Sequence, residues 1–142
     1  MPYYAGKYRS DLCRLLQLYA HGGVYVDNDM QLLRSLDRYR GYALTTVLES
    51  PRPVAGETGI LQALVAAPPR SPIIKRSIAA WSGWAAGERN ATGLLGPAYM
   101  MAAIREETGL DPLTARGRAA LLSIGSAWPA SERGVGGFLL AC

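Results

Sequence analysis

Between Arg9 and Tyr19 the apolar positions Leu12, Leu15, Leu16 and Tyr19 recur at i, i+3, i+4 and i+7, the spacing of one face of an α-helix. Asp11, Arg14 and Leu18 line one border of that stripe, so an acid and a base sit side by side where buried helix meets surface. Ser10 is the expected N-cap, and Asp11 then falls in the first turn, where a carboxylate suits the helix dipole. Gly22-Gly23 closes the helix, because glycine takes the left-handed conformation of a terminal turn. Val24-Tyr25-Val26 is β-branched and aromatic and predicts a short buried strand, which runs directly into Asp27-Asn28-Asp29.

Further along, residues 42–48 are rich in β-formers and apolar at most positions, a second buried strand. Pro51, Pro53 and Gly56 make residues 49–59 a surface loop, in which Glu49 and Glu57 read as solvated acids. Residues 60–67 form another apolar strand, broken by Pro68-Pro69-Arg70-Ser71-Pro72. Ser71 caps the helix that follows and Pro72 suits its first position. That helix spans about residues 72–86, with Ile74, Ile78 and Trp81 as its buried face. Gly96-Pro97 opens another, with Tyr99, Met100, Ala103 and Ile104 on its apolar side, ending at Thr108-Gly109. Residues 2–8 read as a loop whose tyrosines cover the start of the first helix, and residues 119–124 are a late apolar piece. Strands alternating with helices define an α/β domain.

Composition narrows the class. A chain of 142 residues with 49% hydrophobic residues is one globular domain. The formal charge of +4 is spread over single arginines, without the basic runs or aromatic–basic alternation of a nucleic-acid binder, so no nucleic-acid partner is expected. Cys13 and Cys142 make neither a disulfide framework nor a metal site, and Cys13 reads as a small filler. Residues 1–7 lack the apolar core of a signal peptide, and the apolar run at 138–142 is far short of a membrane span. Asn90-Ala91-Thr92 is a glycosylation acceptor of the kind that arises often by chance.

The chemistry concentrates at Asp27 and Asp29. Two residues apart in extended chain, their side chains leave the same face, and two hard oxygens suit Mg²⁺ or Mn²⁺ with positions left for water and phosphates. Such a cation neutralises the charge that builds on a diphosphate leaving group. D-x-D alone is weak, since roughly one shuffled sequence in six of this composition carries it and a polar turn after a strand looks the same. Asp11 and Arg14, taken alone, are a surface ion pair worth a few tenths of a kcal/mol.

The run Arg9-Ser10-Asp11-Leu12-Cys13-Arg14, residues 15–19, His21-Gly22-Gly23-Val24-Tyr25-Val26-Asp27-Asn28-Asp29 and Leu36-Asp37 stands in the order [KR]-[SA]-D-[LI]-x-R, Leu/Tyr-rich helix, Y-G-G-[IV]-Y-x-D-x-D, L-D. It resembles the glycosyltransferases whose sugar-binding region contains a D-x-D motif. These include the yeast-type initiating mannosyltransferases, the inositol-phosphoceramide mannosyltransferases and capsular-polysaccharide transferases, and the glucosylating bacterial toxins share the pattern. His21 takes the place usually held by Tyr or Phe. Residues 62–72 resemble the family's N-A, apolar run, A-x-P-x-H-P, with Gln62 for Asn and Ser71 for His. The family's T-G-P, which lies near the donor, is inexact here, since two leucines separate Thr92-Gly93 from Gly96-Pro97.

The resemblance implies a GT-A type nucleotide-diphospho-sugar transferase fold, incomplete at the N-terminus because the first nucleotide-binding strands would precede residue 9. It implies retaining transfer of a hexose, mannose favoured, from GDP-mannose or a UDP-sugar to a glycan or a glycolipid such as inositol phosphoceramide. Mn²⁺ or Mg²⁺ would be bound by Asp29 directly, with Asp27 on the metal or the ribose. Asp11 and Arg14 would hold sugar hydroxyls and the diphosphate side, and Gln62 would stand in the site wall. Asp11, Arg14 and Asp27 are thus the catalytic set, joined by Asp29 and Gln62 for donor binding. A late His before Ser-Trp, common in the family, has no counterpart, since His21 is the sole histidine. The setting implied is the Golgi or another endomembrane lumen in a eukaryote, with membrane attachment through a segment outside this chain, or the cytoplasm in a bacterium. Two other readings stay open: an inactive fragment that binds only metal-nucleotide, and a basic interaction module in which D-N-D is a turn.

Overall fold

The computed structural model describes residues 5–37, 42–48, 60–87, 95–112, 114 and 139–140. Helix α1 spans Ala5–His21, strand β1 Gly23–Val26, β2 Thr45–Leu48, β3 Ile60–Ala67, α2 Pro72–Ala85, α3 Leu95–Thr108 and β4 Leu139–Leu140. The Glu49 and Glu57 loop, the Asn90-Ala91-Thr92 acceptor and the apolar piece at 119–124 lie outside the described residues.

Helix α1 begins more than a turn before Ser10, so Ser10 is not its cap and Asp11 is not in its first turn. Tertiary packing draws the helix back. Tyr8, expected in a loop, stands on α1 with its ring 5.6 Å from Trp81 and 5.1 Å from Trp84, so aromatic packing against α2 anchors the early turns of the helix. At the other end the Gly22 N–H donates to the Leu18 carbonyl at 2.8 Å and both glycines have positive φ, 66° and 102°. Glycine is required at 22 for space as well, since a Cβ there would stand 2.6 Å from the Pro69 ring. The Arg70 N–H donates to the Tyr19 carbonyl at 2.8 Å, so the end of α1 is seated on the turn that leads into α2.

The described strands form one mixed sheet in the order β2-β3-β1-β4. β1 is antiparallel to β3, pairing Gly23 with Ala67 and Val26 with Leu64, and parallel to β4. β2 is antiparallel to β3, with a register shift between Thr46 and Val47. Among the described strands it is an edge strand rather than a buried one, half-buried through Thr45 and Thr46 and exposed at Val47, because a sheet edge is covered on fewer sides. β3, by contrast, is apolar at every position but Gln62, as suits a strand that lies between two others and beneath helices.

Ser71 caps α2, its hydroxyl accepting from the Ile74 N–H. The buried face of α2 is Ile73, Ile74, Ser77, Ala80 and Trp81, with the expected Ile78 half-buried at its margin. α3 turns Met100, Met101, Ala103 and Ile104 inward, and these close the core with Leu15, Leu18, Ile60 and Val65. Burial of such side chains, at about 1.5–3 kcal/mol each, is what holds the helices to the sheet. Among the described residues no helix is long and apolar enough to cross a membrane.

Candidate active site

The buried arc of α1 differs from the apolar stripe in the sequence. Leu15 and Leu18 are fully buried, Leu12 and Tyr19 only in part, and Leu16 is exposed. The arc is centred so that Asp11 and Arg14 lie inside it, 6% and 7% exposed. They are therefore not a surface pair at the border. A pattern reading assigns charge to the surface, and here two opposite charges go into the core together.

Arg14 is the hub. One of its terminal nitrogens, Nη2, lies 3.1 Å from Asp11 Oδ1 and 3.5 Å from Asp27 Oδ1, and the other, Nη1, donates to the Gln62 backbone carbonyl at 2.9 Å. Its guanidinium carbon stands 4.4 Å from the centre of the Tyr25 ring, a cation over a π face. The Tyr25 hydroxyl donates to the same Asp27 oxygen at 2.5 Å. Helix α1 and strands β1 and β3 thus converge on one cation, and the i, i+3 spacing of Asp11 and Arg14 lets a single helical turn supply both charges. Burial pushes the Asp11 carboxyl above its ordinary value of 3.8; Arg14 and, more weakly, Lys7 oppose that rise, while the Asp27 charge adds to it.

Beside this hub lies a concavity of about 340 Å³ lined by Ser10, Arg14, Tyr25, Val26, Asp27, Asn28 and Asp29. It sits beyond the carboxyl end of β1, where open α/β sheets place their ligands. Asp27 is half-buried, and Asn28 and Asp29 are exposed. Of the five residues expected at the site, Arg14, Asp27 and Asp29 line the concavity together. Asp11 and Gln62 are brought to the same cluster but stand behind Arg14, outside the lining. Gln62 is 4% exposed, and neither atom of its side-chain amide has a hydrogen-bond partner among the described residues.

Among the described residues no three His, Cys, Asp or Glu side chains gather as a metal cluster. The donor set nevertheless fits a hard cation that keeps water and phosphate ligands, which one or two carboxylates suffice to anchor. Asp27 meets that role with Oδ1 already engaged by Tyr25 and Arg14, whereas Asp29 makes no ion pair among the described residues.

Three features escape a reading by residue type. Tyr25 is more than a strand former, since its i, i+2 spacing to Asp27 puts hydroxyl and carboxylate on one strand face. Ser10 lines the concavity instead of capping a helix. Gly96, read as part of a helix opening and of an inexact T-G-P, stands directly against Asp11 and Gln62.

Residues 2–45 match the family described as the glycosyltransferase sugar-binding region containing a DXD motif. That match holds every one of the charged site residues and ends before Gln62. In fold, the chain is similar to the solved structure of the PaToxG glycosyltransferase, with a TM-score of 0.57 and 21% identity over 89% of this chain and 48% of that one. The chain thus spans about half the length of that structure, and at this identity the likeness is one of fold. No curated protein matches the sequence. The chain is accordingly a mixed α/β unit similar in fold to a glycosyltransferase, and its residues 2–45 are similar to the DXD-containing sugar-binding region.

Proposed function

We propose that this chain carries the donor-binding region of a metal-dependent, retaining glycosyltransferase of GT-A type. It would transfer a hexose, mannose favoured, from a nucleoside-diphosphate sugar to a glycan or glycolipid. GDP-mannose is the favoured donor, and a UDP-sugar is the other. The observation that carries this reading is the convergence of Asp11, Asp27 and the Gln62 carbonyl on Arg14, at the wall of a polar concavity that also holds Asp29.

Mn²⁺ or Mg²⁺ held by Asp29 and Asp27 would neutralise the charge that develops on the diphosphate oxygens. The protein's own part is alignment. Arg14 presents a buried, fixed guanidinium to the concavity, suited to a phosphate or to sugar hydroxyls. Asp11 orients Arg14 from behind, and the Tyr25 hydroxyl holds Asp27 in place. A reactant held this way meets the leaving group without searching for its geometry. Mg²⁺ and Mn²⁺ are both hard-oxygen cations, so the carboxylates leave the choice between them to the test.

Titration of the chain with GDP- and UDP-sugars, with and without Mn²⁺, tests the proposal. Metal-dependent binding with hydrolysis or transfer supports the enzyme. Binding without turnover reduces it to a metal-nucleotide binding fragment. No binding under any condition overturns it and leaves an interaction module in which D-N-D is a turn.

A further inference from the structure

A Cβ at residue 96 would stand 2.5 Å from Gln62 Oε1, 3.2 Å from Gln62 Cδ and 3.0 Å from Asp11 Oδ2. The first turn of α3 therefore packs its bare backbone onto the two side chains that stand behind Arg14. Gly96, Gln62 and Asp11 are all buried, so a shift of either side chain has to be taken up among packed neighbours. The Gln62 amide is buried there without a hydrogen-bond partner among the described residues, an arrangement that weakens the fold and so is not explained by stability.

Building on the function proposed above, we propose that Gly96 is a positioning residue for the donor site. Its missing side chain lets the Gln62 amide and the Asp11 carboxylate stand side by side against α3. Their placement then sets the Arg14 guanidinium at the Asp27 concavity. The chain of contact runs from Gly96 to Asp11, from Asp11 to Arg14 at 3.1 Å, and from Arg14 to Asp27 at 3.5 Å. Gln62 enters a second time through its carbonyl, which receives Arg14 at 2.9 Å. A methyl group at 96 displaces one of these groups, and Arg14 loses its alignment even though residue 96 never reaches the concavity.

The test measures Mn²⁺-dependent affinity for a GDP- or UDP-sugar, beside the urea midpoint, in Gly96→Ala, Gln62→Asn, the double variant Gly96→Ala/Gln62→Asn, and Gly96→Ala in an Arg14→Lys background. Gly96→Ala should weaken binding about tenfold, and the double variant, one methylene shorter at 62, should return to within about threefold of wild type. In the Arg14→Lys background Gly96→Ala should change affinity by less than about twofold, because the group it positions is gone. A structural role alone would lower the midpoint and weaken binding alike in both backgrounds, and that result overturns the inference. So does wild-type affinity in folded Gly96→Ala. If Gly96→Ala does not fold, the double variant against Gln62→Asn carries the comparison, and a gap larger than about tenfold between them overturns it. Wild-type protein that binds no sugar nucleotide overturns the functional reading itself, and this inference with it. Normal wild-type binding with an indifferent Gly96 overturns only the inference.

Discussion

Arg14 and Arg76 each face two carboxylates, and the two settings are opposites. Arg14 lies between Asp11 and Asp27, its side chain 9% exposed and that of Asp11 8%. Arg76, on α2, reaches across to Glu106 at 3.7 Å and to Glu107 on α3, and half of its side chain is in solvent. The outer network can be dissolved by water and salt at little loss, because its members are hydrated without it. The inner one has no such alternative. Its charges were desolvated on folding, its geometry is fixed by a helix, a sheet and an aromatic ring, and Arg14 Nε and both atoms of the Gln62 amide are without partners among the described residues. Where a protein tolerates an arrangement that expensive, the retained benefit is sought in function, and here the cluster borders the concavity holding Asp29.

The largest expected effect comes from breaking the inner network on one side. Arg14→Ala leaves Asp11 buried without its cation and the Gln62 carbonyl without its donor, which should lower stability by about 3–5 kcal/mol. Replacing both deeply buried charges, as Asp11→Leu/Arg14→Met, should cost less than Arg14→Ala alone, since the one carboxylate left without its cation, Asp27, has its side chain 31% exposed and keeps the Tyr25 hydroxyl. Urea unfolding of the three proteins checks this order. Should Arg14→Ala unfold at the wild-type midpoint, the cluster would be no more than a second surface pair and the contrast would collapse.

Next in size is the division of labour within D-N-D. Asp27 is tied to Tyr25 and Arg14, and Asp29 makes no ion pair among the described residues. Asp29→Asn should weaken Mn²⁺-dependent sugar-nucleotide binding by more than about 1.4 kcal/mol, a factor of ten. Calorimetric titration with Mn²⁺ present and absent measures it. An unchanged metal-dependent affinity would move the anchoring role to Asp27.

How much of this was legible beforehand varies with the kind of signal. Pro72 after Ser71, the Gly22-Gly23 stop and the mostly apolar run of β3 are local and one-dimensional, and the boundaries of β3 and α2 follow from them closely. The start of α1 was not legible. It depends on Tyr8 meeting Trp81 and Trp84, a contact between residues more than seventy positions apart. The burial of Asp11 and Arg14 was hidden for a related reason: periodicity counts charges as surface, and only the surrounding helices and sheet show that the face carrying them is the inner one. Asp27 and Asp29 were found as a motif, but Gly96 carries no chemistry of its own, and its closeness to Gln62 and Asp11 exists only in three dimensions.

A smaller effect separates burial from pairing within the inner cluster. Burial raises the Asp11 carboxyl above its ordinary value of 3.8 despite the opposing pull of Arg14. The folded state therefore holds that proton more tightly than the unfolded one. Between pH 3.8 and the raised folded value the native protein binds more protons, so this group's contribution to stability falls as pH rises through the window and is constant above it. Asp11→Asn should remove that slope. The readout is the difference between wild-type and Asp11→Asn urea midpoints across the window, which cancels the titration of the other carboxylates. A difference that runs the opposite way would mean that the Arg14 pairing outweighs burial.

The smallest effect belongs to the outer network. Arg76→Ala removes the ion pairs to Glu106 and Glu107 but leaves the apolar contact between α2 and α3 intact, with Ile73, Ile74 and Trp81 in the same core as Met100, Met101, Ala103 and Ile104. The Arg76 guanidinium is held well into the charged state by Glu107, yet a group so exposed is hydrated with or without its partner. Arg76→Ala should therefore melt within experimental error of wild type, and adding about 1 M salt, where the Debye length shrinks to about 3 Å, should leave the comparison unchanged. Thermal unfolding at low and high salt, run beside Arg14→Ala, makes the measurement. A melting point lowered as far by Arg76→Ala as by Arg14→Ala would show that bridging two helices, rather than burying a charge, is what gives an arginine its weight in this fold.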